Sequence, residues 1–206
     1  MILPFIAAAA VLATAVQAHF QMQYPIPRGP FVEDSEPTFC DGYNDAVNNR
    51  TVFPFSNGII NMNSEHPLWT AEVLISTYED PNNFSDFNSS SGYQVVVPFF
   101  QQSGEGLYCF PIDIAAAAVN VSGIQDGANV TIQVLFNGGD GNLYQCADLT
   151  LSANLTVPPA NASSGCTNVS SSTTSTKSSA GKGVEVGTGI IVAGVLSMAM
   201  MLLSAL

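Results

Sequence analysis

Two histidines, His19 and His66, are the only imidazoles in a chain of 206 residues. The first follows a mostly apolar stretch, Ile2 to Val16, that ends in Val16-Gln17-Ala18. Small residues before an apolar-run boundary are what signal peptidase requires, so residues 1–18 read as a secretory signal. Cleavage after Ala18 makes His19 the first residue of the mature protein. A histidine at a free N-terminus offers two nitrogen donors, the α-amine and the imidazole. With the His66 imidazole, three neutral nitrogens can surround one metal ion. Such a set suits Cu(II), which favours square-planar or tetragonal nitrogen and oxygen donors and heads the divalent affinity order. An α-amine with a pKa of about 7.7–8.0 gives up its proton to a metal at modest cost near neutrality.

Charge excludes other chemistry. The formal net charge is −12 with four Lys and Arg residues in all. Binding to phosphate backbones needs clustered cations, so nucleic acid is excluded as a partner. An acidic surface attracts cations instead. No Gly-x-Ser-x-Gly elbow, P-loop or dinucleotide-binding glycine pattern is present.

The rest of the chain reads as a secreted glycoprotein. Cys40, Cys109, Cys146 and Cys166 form an even set with no CxxC pair, which predicts two disulfides with three connectivities open. Sequons stand at Asn49, Asn83, Asn88, Asn120, Asn129, Asn154, Asn161 and Asn168. Residues 19–160 make the folded domain, and 161–178 a Ser/Thr-rich stalk. Residues 179–206 hold small residues, a short spacer and an apolar run with no basic residue after it. A membrane span ends in Lys or Arg on its cytoplasmic side. The pattern instead matches a glycosylphosphatidylinositol (GPI) attachment signal, with Ser178 or Ser179 as the anchored residue. These signals predict the outer face of the plasma membrane or the cell wall.

The elements that must position the histidines are strands. Residues 19–30 carry Pro25, Pro27 and Pro30 and predict an extended arm. Residues 31–50 predict an acidic loop stapled at Cys40. Strands are expected at 52–55, 71–77, 93–100 and 129–136, with a short helix within 111–119 and a tight turn at Gly138-Gly139-Asp140-Gly141. From Ala147 to Val157 apolar and polar residues alternate, which predicts a strand with one apolar face and one solvent face. Asp148 falls on the polar face, expected near the surface. Trp69 is expected to anchor the core, and Glu65, Tyr144 and Gln145 flank the candidate ligands. Many short strands with Gly and Pro turns predict a mostly β protein, an antiparallel β-sandwich with long loops.

Taken together, the N-terminal histidine, the Tyr-Pro-x-x-Arg-Gly stretch (Tyr24 to Gly29), His66, the Gly-x-Leu-Tyr-Gln-Cys-Ala-Asp segment (Gly141 to Asp148) and the apolar tail resemble the fungal copper-acquisition-factor family, proteins similar to lytic polysaccharide monooxygenases. The resemblance covers His19 to about Val157. It implies an immunoglobulin-like or fibronectin-like sandwich and one Cu(II) ion in a histidine brace of His19 and His66, with Asp148 as the third side-chain ligand. An anion beside copper stabilises Cu(II) over Cu(I) and opposes the reduction that O₂ activation needs. The resemblance therefore implies copper acquisition or homeostasis at the cell surface, without polysaccharide oxidation. It also implies the pairs Cys40–Cys146 and Cys109–Cys166. A plasma-membrane copper transporter and cell-wall glucan are the partners it leaves open. Two alternatives remain: a copper-dependent polysaccharide monooxygenase, and a structural cell-wall glycoprotein without metal.

Overall fold

The structure is a computed structural model and describes residues 19–155. The signal segment, the stalk, the anchor signal, Asn161, Asn168, Cys166, Ser178 and Ser179 lie outside the described residues. The strands in chain order are β1 (Phe20–Tyr24), β2 (Thr51–Pro54), β3 (Gly58–Ser64), β4 (Leu68–Ser76), β5 (Asn88–Ser89), β6 (Gly92–Tyr93), β7 (Val95–Ser103), β8 (Gly106–Ile112), β9 (Asn129–Asn137) and β10 (Asn142–Ser152). One four-residue helix, α1 (Ile114–Ala117), is capped by the Asp113 side chain.

The strands form two facing sheets, β1-β3-β8 and β2-β10-β9-β4-β7, and a two-stranded ribbon, β5-β6. All pairings in the large sheet are antiparallel except β2 with β10. The sandwich expected from the sequence is therefore present. Alternation places Ala71, Val73 and Ile75 of β4 and Val130, Ile132, Val134 and Phe136 of β9 inside. Phe20 and Met22 of β1, Ile60 and Met62 of β3, and Phe110 and Ile112 of β8 meet them from the smaller sheet. Trp69 is 1% exposed and gives its indole N–H to the Gly104 carbonyl, so it is the expected core anchor. Burial of such aromatic side chains contributes a large share of the apolar driving force.

Besides the two-residue β5, which falls in an expected loop, two strands are absent from the sequence-based expectation, β3 and β8. Both belong to the small sheet, and each mixes Gly, Asn, Ser or Pro with its apolar residues, which weakens a period-two signal. Asn57 has a left-handed backbone (φ 58°) and turns the chain from β2 into β3.

The outer face of the large sheet is where expectation and structure part. Register places Asp148 opposite Thr131, and Cys146 opposite Gln133. These side chains do not meet solvent. The segment 25–50 folds across them, tied by the Cys40–Cys146 disulfide. Phe39 and Phe87 pack on Leu74 and Cys146 in a second small core. Asp148 is 1% exposed. A strand with alternating polarity exposes one face only when nothing covers it, and here a loop layer does. Cys109 is also disulfide-bonded. Of the sequons, Asn49, Asn83, Asn88, Asn120 and Asn154 are exposed, whereas Asn129 is half-buried and accepts a hydrogen bond from Thr150.

Candidate metal centre

The sandwich brings both histidines to one end. β1 pairs antiparallel with β3, with Phe20 opposite Ser64, and the Glu65 N–H donates to the His19 carbonyl. His66 follows two residues after β3 and is 4% exposed. Phe136 links the two: Phe20 stacks on it at 4.8 Å between centroids, and the His66 ring tilts against it at 5.3 Å. The β9–β10 turn closes this end. At Gly138 a side chain would overlap the His66 ring, so only glycine permits that approach.

His66 Nε2 is buried and has no hydrogen-bond partner. The nearest charged group is the half-exposed Asp140 carboxylate, 3.8 Å away. A buried ring nitrogen without a partner is costly unless something else satisfies it. Asp140 also lines a cavity of about 220 Å³ together with His19, Glu33 and Glu36. The turn thus brings one carboxylate near His66 and to the cavity that His19 lines.

His19 is gripped from the other side. Its Nδ1 donates to Glu36 Oε2 at 2.5 Å, and its Nε2 lies 3.1 Å from Glu33 Oε1. The other Glu36 oxygen accepts the Phe20 N–H, and the Glu36 carbonyl accepts the Tyr144 N–H. Across the core, Gln145 accepts the Met22 N–H and donates to the Phe20 carbonyl. Glu36 and Gln145 therefore pin the first strand at its outset. Sequence reading missed Glu36 entirely, because it lies in a loop 17 residues from its partner His19 and no periodicity announces it.

Asp148 is not brought to this end. It lies on β10, four residues past Tyr144, facing the loop layer. Its oxygens accept from Arg28 Nε at 3.0 Å, Arg28 Nη2 at 3.1 Å, Thr131 Oγ1 at 2.6 Å and Val47 N–H at 2.9 Å. Arg28 spends its remaining donors on the Tyr43 and Asn44 carbonyls. The two conspicuous stretches, Tyr24 to Gly29 and Gly141 to Asp148, meet through this ion pair. It is a buried bidentate pair that fixes the loop layer, and the carboxylate touching His19 is Glu36 instead.

Among the described residues, no three His, Cys, Asp or Glu side chains already converge on one point.

Comparison with known proteins gives the family. The copper acquisition factor BIM1-like family matches residues 17–171. The chain belongs to that family. Copper acquisition factor BIM1 of Cryptococcus neoformans var. grubii serotype A is 40% identical over 151 residues, 72% of this chain and 66% of that protein. Its counterpart in C. neoformans var. neoformans serotype D is 39% identical over 159 residues, 76% of this chain and 70% of that protein. The lytic polysaccharide monooxygenase-like protein X325 of Yarrowia lipolytica is 30% identical over 153 residues, 72% of this chain and 54% of its own length.

The electrostatics of this BIM1-like site predict a pH dependence. Burial pushes Glu36 up to about 7, against the opposing pull of His19 and the Phe20 N–H. Burial lowers His19, but the hydrogen bond and charge of Glu36 and the charge of Glu33 outweigh it and leave its pKa raised. Burial also pushes Asp41 up to about 6. A group whose folded pKa lies above its unfolded value stabilises below the unfolded pKa and loses that contribution as pH rises through the folded one. All three act in the same direction. The metal-free protein is expected to resist urea better near about pH 5 than near about pH 8. Urea midpoints across that range check it; a midpoint that rises with pH contradicts it.

Proposed function

We propose that this protein binds copper(II) for acquisition or homeostasis, with one ion held by His19, His66 and Asp140. The observation that carries the reading is the buried, unpartnered His66 Nε2 beside Asp140, at the end of the sandwich that holds His19. The relatives named copper acquisition factor BIM1 support the choice of metal. The donor set does so independently, since neutral nitrogens with one carboxylate suit Cu(II).

Signal cleavage supplies the missing donor. A chelate through the α-amine and the imidazole of one histidine closes a six-membered ring only through Nδ1. In the unprocessed chain Nδ1 is held by Glu36. The reading therefore requires the ring to leave Glu36 when the metal enters. The carboxylate of Asp140 takes the role first expected of Asp148, and its charge favours Cu(II) over Cu(I). Copper is cargo in this reading, and the protein is a binding protein, not an enzyme. The relative named monooxygenase-like supports the oxidising alternative, which reductant-dependent oxidation of glycan ends would reveal. Anchoring by GPI at Ser178 or Ser179, on the extracellular face of the plasma membrane, is part of the same proposal. Copper delivered there would pass to a membrane transporter.

The test is a copper titration of the secreted protein beginning at His19, against the same protein acetylated at the His19 α-amine. Acetylation converts the primary amine to an amide and leaves every side chain in place. Cu(II) affinity is expected to fall by orders of magnitude. Equal affinity in the two proteins would remove the N-terminal nitrogen from the site.

A further inference from the structure

A second cleft lies on the outer face of the large sheet, beside the metal-binding end. The loop layer that covers this face opens there into a cavity of about 350 Å³. Its floor is one row of the sheet: register aligns Tyr144 of β10, Leu135 of β9 and Glu72 of β4. Its wall comes from the loop between β4 and β7, which contributes Phe84 and Tyr93. Asn142 lines both this cleft and the cavity that contains His19.

The chemistry of the lining is specific. Phe84 and Tyr144 meet edge to face, 4.7 Å between centroids, Phe84 is met in turn by Phe39, and Phe84, Tyr144 and Tyr93 all line the cleft. Phe84 is 41% exposed and Tyr93 66%, so these rings are not consumed by the core. Glu72 is half-buried among them. Burial raises its pKa above the usual carboxylate value, the mark of a carboxylate partly stripped of water. Nothing cationic faces it. Arg28 and Arg50, the only Arg or Lys among the described residues, both turn to Asp148. Both histidines belong to the metal-binding end.

We propose that this cleft binds an organic ammonium cation. Aromatic faces attract a weakly hydrated cation through their quadrupoles, and a carboxylate in partial desolvation adds a charge that water screens poorly. A molecule of net charge −12 concentrates such ligands at its surface. The cation is either a small quaternary ammonium compound or, at a greater cost in lost water, a lysine side chain of a protein partner; both present a positive charge to Glu72 and the rings. A neutral sugar would also stack on the rings and donate hydroxyls to Glu72, but it carries no positive charge for the carboxylate and the ring quadrupoles to attract.

The experiment is an NMR titration of the secreted protein, following the ring resonances of Tyr93, Tyr144 and Phe84. The probes are choline, its neutral isostere 3,3-dimethyl-1-butanol, Nα-acetyl-lysine amide, and a β-glucan oligosaccharide. Choline or the lysine amide is expected to bind saturably, and whichever binds more tightly identifies the source. The neutral alcohol should bind about tenfold more weakly or worse. Glu72→Gln and Tyr93→Ala should each weaken the cation about tenfold and leave copper affinity unchanged, which separates this cleft from the metal centre. Equal binding of choline and the alcohol, saturable binding of the oligosaccharide alone, or no saturable shift with either cation would overturn the proposal.

Discussion

Replacing His66 by alanine is expected to lower Cu(II) affinity by orders of magnitude while the sandwich stays folded. The ring is buried, but it sits at the rim of the core against Phe136 and the β9–β10 turn, and its Nε2 makes no hydrogen bond that the fold would miss. Removing it deletes one nitrogen of the proposed brace and some aromatic packing. A large-to-small change at a core rim costs about 2–3 kcal/mol, which a folded domain of this size tolerates. Copper titration with circular dichroism separates the two effects. Gly138→Ala gives an independent check, because the added methyl group overlaps the ring where it now rests. It should weaken copper binding with His66 still present. Full affinity in both variants would place the copper elsewhere.

The two ends of this argument were unequally legible in the sequence. His19 and His66 could be read because cleavage chemistry and residue scarcity both point to them. The inner faces of β4 and β9 could be read because Val73, Ile75, Val130, Ile132 and Val134 alternate as a half-buried sheet requires. The small sheet was harder: β3 and β8 carry Asn61, Asn63 and Pro111 within their spans, and their pattern dissolves into what resembles loop. Glu36 and Gln145 were invisible in their roles. Each acts on β1 across a distance set only by folding, and an isolated Glu or Gln carries no signal of its partner. Asp140 was seen only as part of a turn, since four residues of Gly, Gly, Asp and Gly announce backbone geometry first.

Asp148 shows why periodicity alone misassigns a polar residue. The alternation on β10 is real, and Ala147, Leu149 and Leu151 face the core as expected. What alternation does not state is whether the polar face meets water or a second layer. The outer residues of β10 and β9 already hint at the answer. A face that carries Cys146, Gln133, Thr131 and Asp148 holds groups able to bond a covering segment through sulfur, amide, hydroxyl and carboxylate. The covering segment brings the complementary donors, Arg28 and the Val47 N–H. The Cys40-Asp41-Gly42 turn, left-handed at all three residues, delivers the Cys40 sulfur to Cys146.

A pair of isosteric substitutions distinguishes the two aspartates. Asp148→Asn keeps the size of the side chain but leaves the Arg28 guanidinium buried without its counter-charge. Breaking one partner of a buried pair costs about 3–5 kcal/mol, so chemical denaturation should show a large loss of stability. The copper spectrum and the Cu(II)/Cu(I) potential of the protein that remains folded should not move, because Asp148 faces the loop layer and not His19. Asp140→Asn should do the reverse. Asp140 is 42% exposed at its side chain and, among the described residues, its only ion-pair partner is the His66 ring, so stability should change by less than about 1 kcal/mol. If its carboxylate contacts the metal, losing the charge weakens Cu(II) relative to Cu(I). The paramagnetic resonance spectrum should shift and the potential should rise. A rise of about 60 mV corresponds to tenfold in relative affinity for a one-electron couple. Ascorbate should then reduce the bound copper more readily. An unchanged spectrum and potential in Asp140→Asn, with both altered in Asp148→Asn, would return Asp148 to the metal site and require the loop layer to open before copper binds.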